Sequence, residues 1–301
     1  MTQAVKPQAL KPYALKPKVK AFLEKDSETF SYVVYDQAGG HGVIIDSVLN
    51  FDYAAGCTST ELAQQQLDFV REQKLTIDWV LETHAHADHL SAAPFLRDQL
   101  NAKIGIGDQI TQVQSIFREV FALEPEFNAD GSQFDGLFAD EQQFSVGQLQ
   151  IRVLHSPGHT PADLAYLVNE QALFVGDTLF MPDVGTARCD FPGGSSQQLY
   201  QSIKRLLALP AETEIYVCHD YPKDDRQHEY RTTVAKQKAE NIHVHDGIDE
   251  QSFVAMRDKR DATLGMPRLI LPAIQVNIRA GEMPPKDEQG NTFLKIPINK
   301  L

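Results

Sequence analysis

Apolar positions along the chain switch repeatedly between a period of two and a period near 3.6. From Phe30 to Asp46 the runs FSYVVYD and GVIIDSV are β-branched and aromatic, and they join through Gly39-Gly40, which predicts a hairpin. Thr60 to Gln73 carries Leu62, Leu67, Phe69 and Val70 on one face, predicting a helix capped by Thr58 or Ser59. A short buried strand is expected over Asp78–Thr83, and a helix from His89 or Leu90 to about Leu100, with Pro94 tolerated near its first turn. Lys103–Ile106 reads as a strand and Gln109–Phe121 as a helix. Asn128–Asp140 is polar and Gly-containing, and reads as an inserted loop. Strands follow at Phe144–Leu154, Asp163–Val168 and Ala172–Val175, then a helix at Leu199–Ala208 and a strand at Glu214–Cys218. Helices are expected over Val234–Ile242 and Glu250–Ala262, and the Pro-rich stretch Pro267–Leu301 is expected to wrap the body.

The recurring order is strand, then a loop bearing His or Asp, then helix. It predicts a mixed α/β sandwich with a site along one edge of two sheets. Lys6-Pro7, Lys11-Pro12 and Lys16-Pro17 mark residues 1–20 as a mobile arm, leaving 21–301 as a single domain. The arm lacks an apolar core and does not read as a secretory signal. The 301 residues are 42% hydrophobic and 23% charged, enough for a sizeable core, and no apolar run reaches the length needed to span a bilayer. The formal net charge of -13 argues against nucleic-acid and anionic-membrane partners. An anionic substrate would need a local cluster of Arg, Lys or metal to overcome that field. Cys57, Cys189 and Cys218 form no disulfide framework or zinc motif, which points to a reducing compartment such as the cytosol.

Candidate chemistry is concentrated in four short segments. THAHADH (Thr83–His89) holds His84, His86, Asp88 and His89; HSPGHTPAD brings His159, FVGDTLF Asp177 and IYVCHDY His219. Two His one residue apart can reach one ion from a loop, while Asp88 and His89 turn toward a second. Imidazole and carboxylate donors suit zinc, iron or manganese. A lone His is ordinarily a satisfied polar residue, but this ordered set at strand ends is not. Thr160, Asp163 and Asp220 read either as groups that orient ligands or as loop caps. His41, His155, His228, His243 and His245 read as structural or surface residues.

These residues resemble the glyoxalase II-like branch of the metallo-β-lactamase superfamily over roughly Val33–Gly281, and within it the persulfide dioxygenases. GTARCDFPGG (Gly185–Gly194) resembles the dioxygenase pattern Gly-Arg-x-Asp-Phe through Arg188, Asp190 and Phe191. CHDY resembles its His-Asp-Tyr through His219 and Tyr221, and LPAIQVNIRAG (Leu271–Gly281) its Asn-x-Arg-x-Gly tail. Asp183–Ala187 forms an insertion before Arg188, and with the Asp130–Asp135 loop it resembles a bacterial subgroup.

The resemblance implies an αββα sandwich of two mixed β-sheets flanked by helices. It implies one Fe(II) per chain, held by His84, His159 and Asp177 as a 2-His-1-carboxylate face with open positions for O2. His86, Asp88, His89 and His219 would then hold hydrogen bonds and water. The implied substrate is glutathione persulfide or a related small-molecule persulfide, with Arg188 and Lys238 on its carboxylates and Tyr221 as a donor. Relatives suggest a homodimer. Two other readings stay open. One is a dinuclear zinc thiolester hydrolase, with His84, His86 and His159 on one ion, Asp88, His89 and His219 on the other, and Asp177 bridging. The other is a non-catalytic metal-binding or sensor protein on the same fold.

Overall fold

The computed structural model describes residues 15–223 and 226–300. Most of the segment expected as a mobile arm, residues 1–14, therefore lies outside the described residues. Its last six residues do not, and three of them open β1 (Lys18–Glu24), which pairs along its whole length with β2 (Thr29–Tyr35). β2 pairs antiparallel with β3 (His41–Ile45), which gives the expected hairpin. After β3 come β4 (Val48–Asp52), β5 (Cys57–Ser59), β6 (Thr76–Leu81), β7 (Leu90–Ser91), β8 (Lys103–Gly107) and β9 (Gly136–Phe138). The first sheet has the order β1-β2-β3-β6-β8-β9, and β5-β4-β7 form a small sheet beside it. The second half of the chain supplies β10 (Gln143–Val146), β11 (Leu149–His155), β12 (Leu164–Val168), β13 (Ala172–Phe174), β14 (Glu214–Tyr216) and β15 (Arg231–Thr233), adjacent in that order.

Side chains alternate between two faces of each strand, and this sorts the core into layers. Phe30, Tyr32 and Val34 of β2 meet Ile151 and Val153 of β11 and Tyr166 of β12 between the sheets. Val33 and Ile44 point the other way, toward α1 (Glu61–Glu72), α2 (Ala93–Leu100) and α3 (Ile110–Val120). Leu154, Ala165 and Leu167 face α4 (Ser196–Leu206) and α6 (Glu250–Asp261), with α5 (Val234–Glu240) adjoining. The result is the expected four-layer αββα sandwich. A bridge between Thr29 and His219, with Phe30 N–H donating to Cys218 O, joins the two sheets along one edge. No described helix is long and apolar enough to cross a membrane, and the three cysteines are free.

Several local expectations change. The residue before α1 is Thr60, and its side chain makes no capping bond; Thr58 and Ser59 sit in β5, and Asn50 Oδ1 accepts the Leu62 N–H instead. The helix expected from His89 starts at Ala93, because Leu90 and Ser91 pair with β4. The polar insertion contains β9, which lies parallel to β8. Phe144–Leu154 is two strands, broken at Gly147, whose φ of +53° forms the turn. The C-terminal stretch contains a helix, α7 (Ile270–Asn277), buried nearly all round, with Pro272 confined to its first turn.

Candidate metal centre

Each candidate ligand follows the end of a strand: His84 follows β6, His159 β11, Asp177 β13 and His219 β14. The loop from Thr83 to His89 is held from both sides. Asp46 accepts the Thr83 N–H at 2.7 Å and its hydroxyl at 3.0 Å. From the far side, Asn277 of α7 donates to His86 O and His89 O, each at 2.8 Å, and accepts the Ser91 N–H. Gly158, with φ of +151°, lets the His159 loop cross α4, where a Cβ would lie 2.4 Å from Leu199 Cα.

The rings are oriented by their second nitrogens. His159 Nδ1 donates to Arg188 O at 2.8 Å and His89 Nδ1 to Leu90 O at 3.2 Å, which leaves each Nε2 as a lone-pair donor. His84 Nδ1 meets Thr83 Oγ1 at 3.0 Å, and His219 Nδ1 meets Thr29 Oγ1 at 3.4 Å. His86 is reversed: its Nε2 lies 3.1 Å from Asp46 Oδ1 and 3.6 Å from Glu82 Oε2, so Nδ1 faces the cluster. Buried donor atoms of His84, His86, His89, His219 and Asp177 make no hydrogen bond. His84, His159 and Asp177 offer ligand atoms within 4.8 Å of one another, as do His86, Asp88 and His89.

Buried polar atoms without partners are costly, and here they converge. Burial, reinforced by His86, holds His89 at about 4, and burial holds His84 well below the usual range. Burial also opposes charge on His219, but Asp177 and Asp88 raise it to about 9. Burial likewise works against ionised Asp177, yet His219 and His159 pull that carboxyl well below its ordinary value. The neutral imidazoles of His84 and His89, converging with carboxylates and with the unpaired ring nitrogens of His86 and His219, are the donor types of a borderline divalent cation, so these residues fit a metal.

The flanking residues divide clearly. Asp163 takes both the N–H and the hydroxyl of Thr160, locking the turn after His159. Asp220 is paired bidentately with Arg226, both contacts at 2.7 Å, so it organises the following loop rather than a ligand. Asn277 was within reach of sequence reading only through the Asn-x-Arg-x-Gly resemblance. Asn277→Ala leaves two buried carbonyls without a donor. It is expected to weaken metal binding by about 10–100-fold. Competition against a chelator measures this, and an unchanged affinity would show that the loop needs no such brace.

A cleft of ≈ 330 Å³ reaches the centre at Asp88, His159 and Asp177. Arg188 and Tyr221, the expected substrate contacts, line it, with Tyr221 stacked on His219 at 5.7 Å and 8°. The Arg188 fork, however, is already engaged, with two 2.6 Å bonds to Asp190 and one of 2.7 Å to Gly265 O, over the Phe191 ring. Lys238 does not line the cleft. Gln237 bonds Phe180 O toward the cleft wall, and the next residue on a helix projects about 100° away. His243, Arg257 and Arg260 line the cleft instead, and the sequence had not singled them out for it.

A metallo-beta-lactamase superfamily model matches residues 26–219, a span that includes every candidate ligand. Glyoxylase B2 of Dictyostelium discoideum is 48% identical over 285 residues, covering 94% of this chain and 98% of that protein. Mitochondrial persulfide dioxygenase ETHE1 of Bos taurus is 28% identical over 270 residues, covering 89% and 90%. The crystal structure of ETHE1 from Myxococcus xanthus superposes with a TM-score of 0.70 at 29% identity, covering 88% of this chain and 100% of that one. With its αββα layers and its His/Asp cluster on the sheet edge, this chain belongs to the metallo-beta-lactamase superfamily.

Proposed function

We propose that the chain is a persulfide dioxygenase. In this reading His84, His159 and Asp177 hold one Fe(II), and the substrate is glutathione persulfide or a related small persulfide. The observation that carries it is where the cleft arrives. It meets the centre at two of the three proposed ligands, His159 and Asp177, and at Asp88, whereas His84, His86, His89 and His219 lie behind the lining. His219 Nε2 lies within ion-pair distance of Asp177 (3.2 Å) and Asp88 (3.3 Å), without a hydrogen bond to either. Three ligands with an open side match the facial triad used for O2 chemistry. Bound there, Fe(II) would supply the redox chemistry that zinc cannot. The chain's own residues position the reactants and exclude water. Phe180, Val184 and Phe191 provide an apolar wall, Tyr221 a hydroxyl donor, and Arg188 shapes the wall through Asp190. The reaction balances as persulfide, O2 and water giving thiol and sulfite.

The dinuclear zinc hydrolase stays as a second reading, because His86, Asp88 and His89 also converge within 4.8 Å, and His86 Nδ1 and His89 Nε2 make no hydrogen bond. The test is metal content and O2 uptake of protein purified anaerobically from iron-replete cells. Close to one iron per chain is expected, with sulfite appearing in step with persulfide-dependent O2 consumption. Two tightly held metals and rapid S-lactoylglutathione hydrolysis without O2 uptake would favour the hydrolase.

A further inference from the structure

The cationic side chains along the cleft are not equivalent. Arg188 is neutralised by Asp190. Arg257 is buried, with Nε and Nη2 on Asp261 and Nη1 on Thr186 O. His243 accepts the Thr186 N–H through Nδ1 and is neutral in that role. Arg260 lies three residues beyond Arg257 on α6, on the same side of the helix. It is exposed at the cleft, and its guanidinium makes no hydrogen bond or ion pair among the described residues. Past Arg260 and His243 the cleft continues into a shallow groove that also presents Lys259. The cleft's carboxylates, Asp88 and Asp177, are at the metal end. The site is therefore polarised: carboxylates where the metal would sit, an apolar middle of Phe180, Val184 and Leu264, and an uncompensated guanidinium at the outer end.

In a chain of net charge -13, that guanidinium is the local feature an anionic substrate requires. We propose that Arg260 is the specificity-determining residue of the cleft, binding a carboxylate of a low-molecular-weight thiol substrate at the end remote from the metal. This rests on the reading of the substrate as a glutathione-like thiol. Arg260 takes the part that the sequence suggested for Arg188 and Lys238, because it alone of the three is both in the cleft and unpaired.

Calorimetry on the metal-loaded protein tests it with two unreactive thioethers. S-methylglutathione carries two carboxylates, and S-methyl-N-acetylcysteamine carries no charge. Arg260→Gln is expected to weaken S-methylglutathione by about 10–100-fold, the loss of one charge-assisted bond. It should leave the neutral thioether unchanged, and Arg260→Lys should recover part of the loss. Equal affinities of wild type and Arg260→Gln for S-methylglutathione, or equal losses for both thioethers, would overturn the proposal. So would a wild-type protein that binds the anionic thioether no better than the neutral one. O2 uptake is read separately. If it is absent while the Arg260-dependent difference holds, the dioxygenase reading fails and this one stands; if it is present without that difference, only this one fails.

Discussion

Asp177→Ala is expected to abolish persulfide-dependent O2 uptake and to strip the protein of iron, while His89→Ala lowers kcat/KM by only about 10–100-fold. The difference follows from what each side chain touches. Asp177 is the only carboxylate of the proposed trio and also lies 3.2 Å from His219, so its loss leaves two imidazoles at the site and takes one of the two carboxylates beside His219. His89 turns its Nδ1 to the Leu90 carbonyl and does not line the cleft. Iron content by elemental analysis and O2 uptake by electrode separate the cases, and a thermal melt confirms that each variant folds. A dinuclear zinc centre predicts the other pattern, with both variants equally crippled and O2 irrelevant to turnover. Equal damage from the two substitutions would sink the mononuclear assignment.

Asp261→Ala should be the costliest change outside the metal cluster. Arg257 is 1% exposed, and Asp261 takes two of its guanidinium N–H groups at 2.9 and 2.5 Å. Asp261 also accepts the Cys189 N–H at 2.8 Å, which ties α6 to the segment bearing Arg188. Removing one partner of a buried pair leaves an uncompensated charge, at about 3–5 kcal/mol. Denaturant midpoints at constant m-value would measure it. Replacing both partners, Arg257→Met with Asp261→Leu, should recover much of the loss, because two apolar groups leave no buried charge. A single-variant loss under about 1 kcal/mol would mean that water reaches this guanidinium.

How much of this could be read from the sequence depended on where the information lay. The metal cluster was legible because four ligands fall inside one loop and the others sit at strand ends, so local spacing carried the geometry. The two core sheets were legible from β-branched runs. The C-terminal helix α7 was not. Burial on nearly all sides erases its 3.6-residue stripe, and Pro272 reads as a breaker unless its place in the first turn is known. β1 and β9 were hidden by a Lys/Pro-rich and a polar context, and short edge strands are fixed by their neighbours more than by their own composition. In the cleft the limit was pairing. A basic residue in a sequence shows its charge but not whether a carboxylate has taken it. The Arg257–Asp261 spacing of four was the usable clue, since on a helix it brings those two together and accounts for one of the two arginines.

The brace supplied by Asn277 sets an order of events during synthesis. All of the candidate ligands have been translated once His219 emerges, yet the amide that fixes the loop bearing four of them arrives only with α7. A nascent chain stopped between these points carries the complete donor set on a loop whose His86 and His89 carbonyls still lack their donor. If Asn277→Ala weakens metal binding as expected, tight metal capture follows only after α7 docks, which a chain truncated before Ile270 would test by its metal affinity.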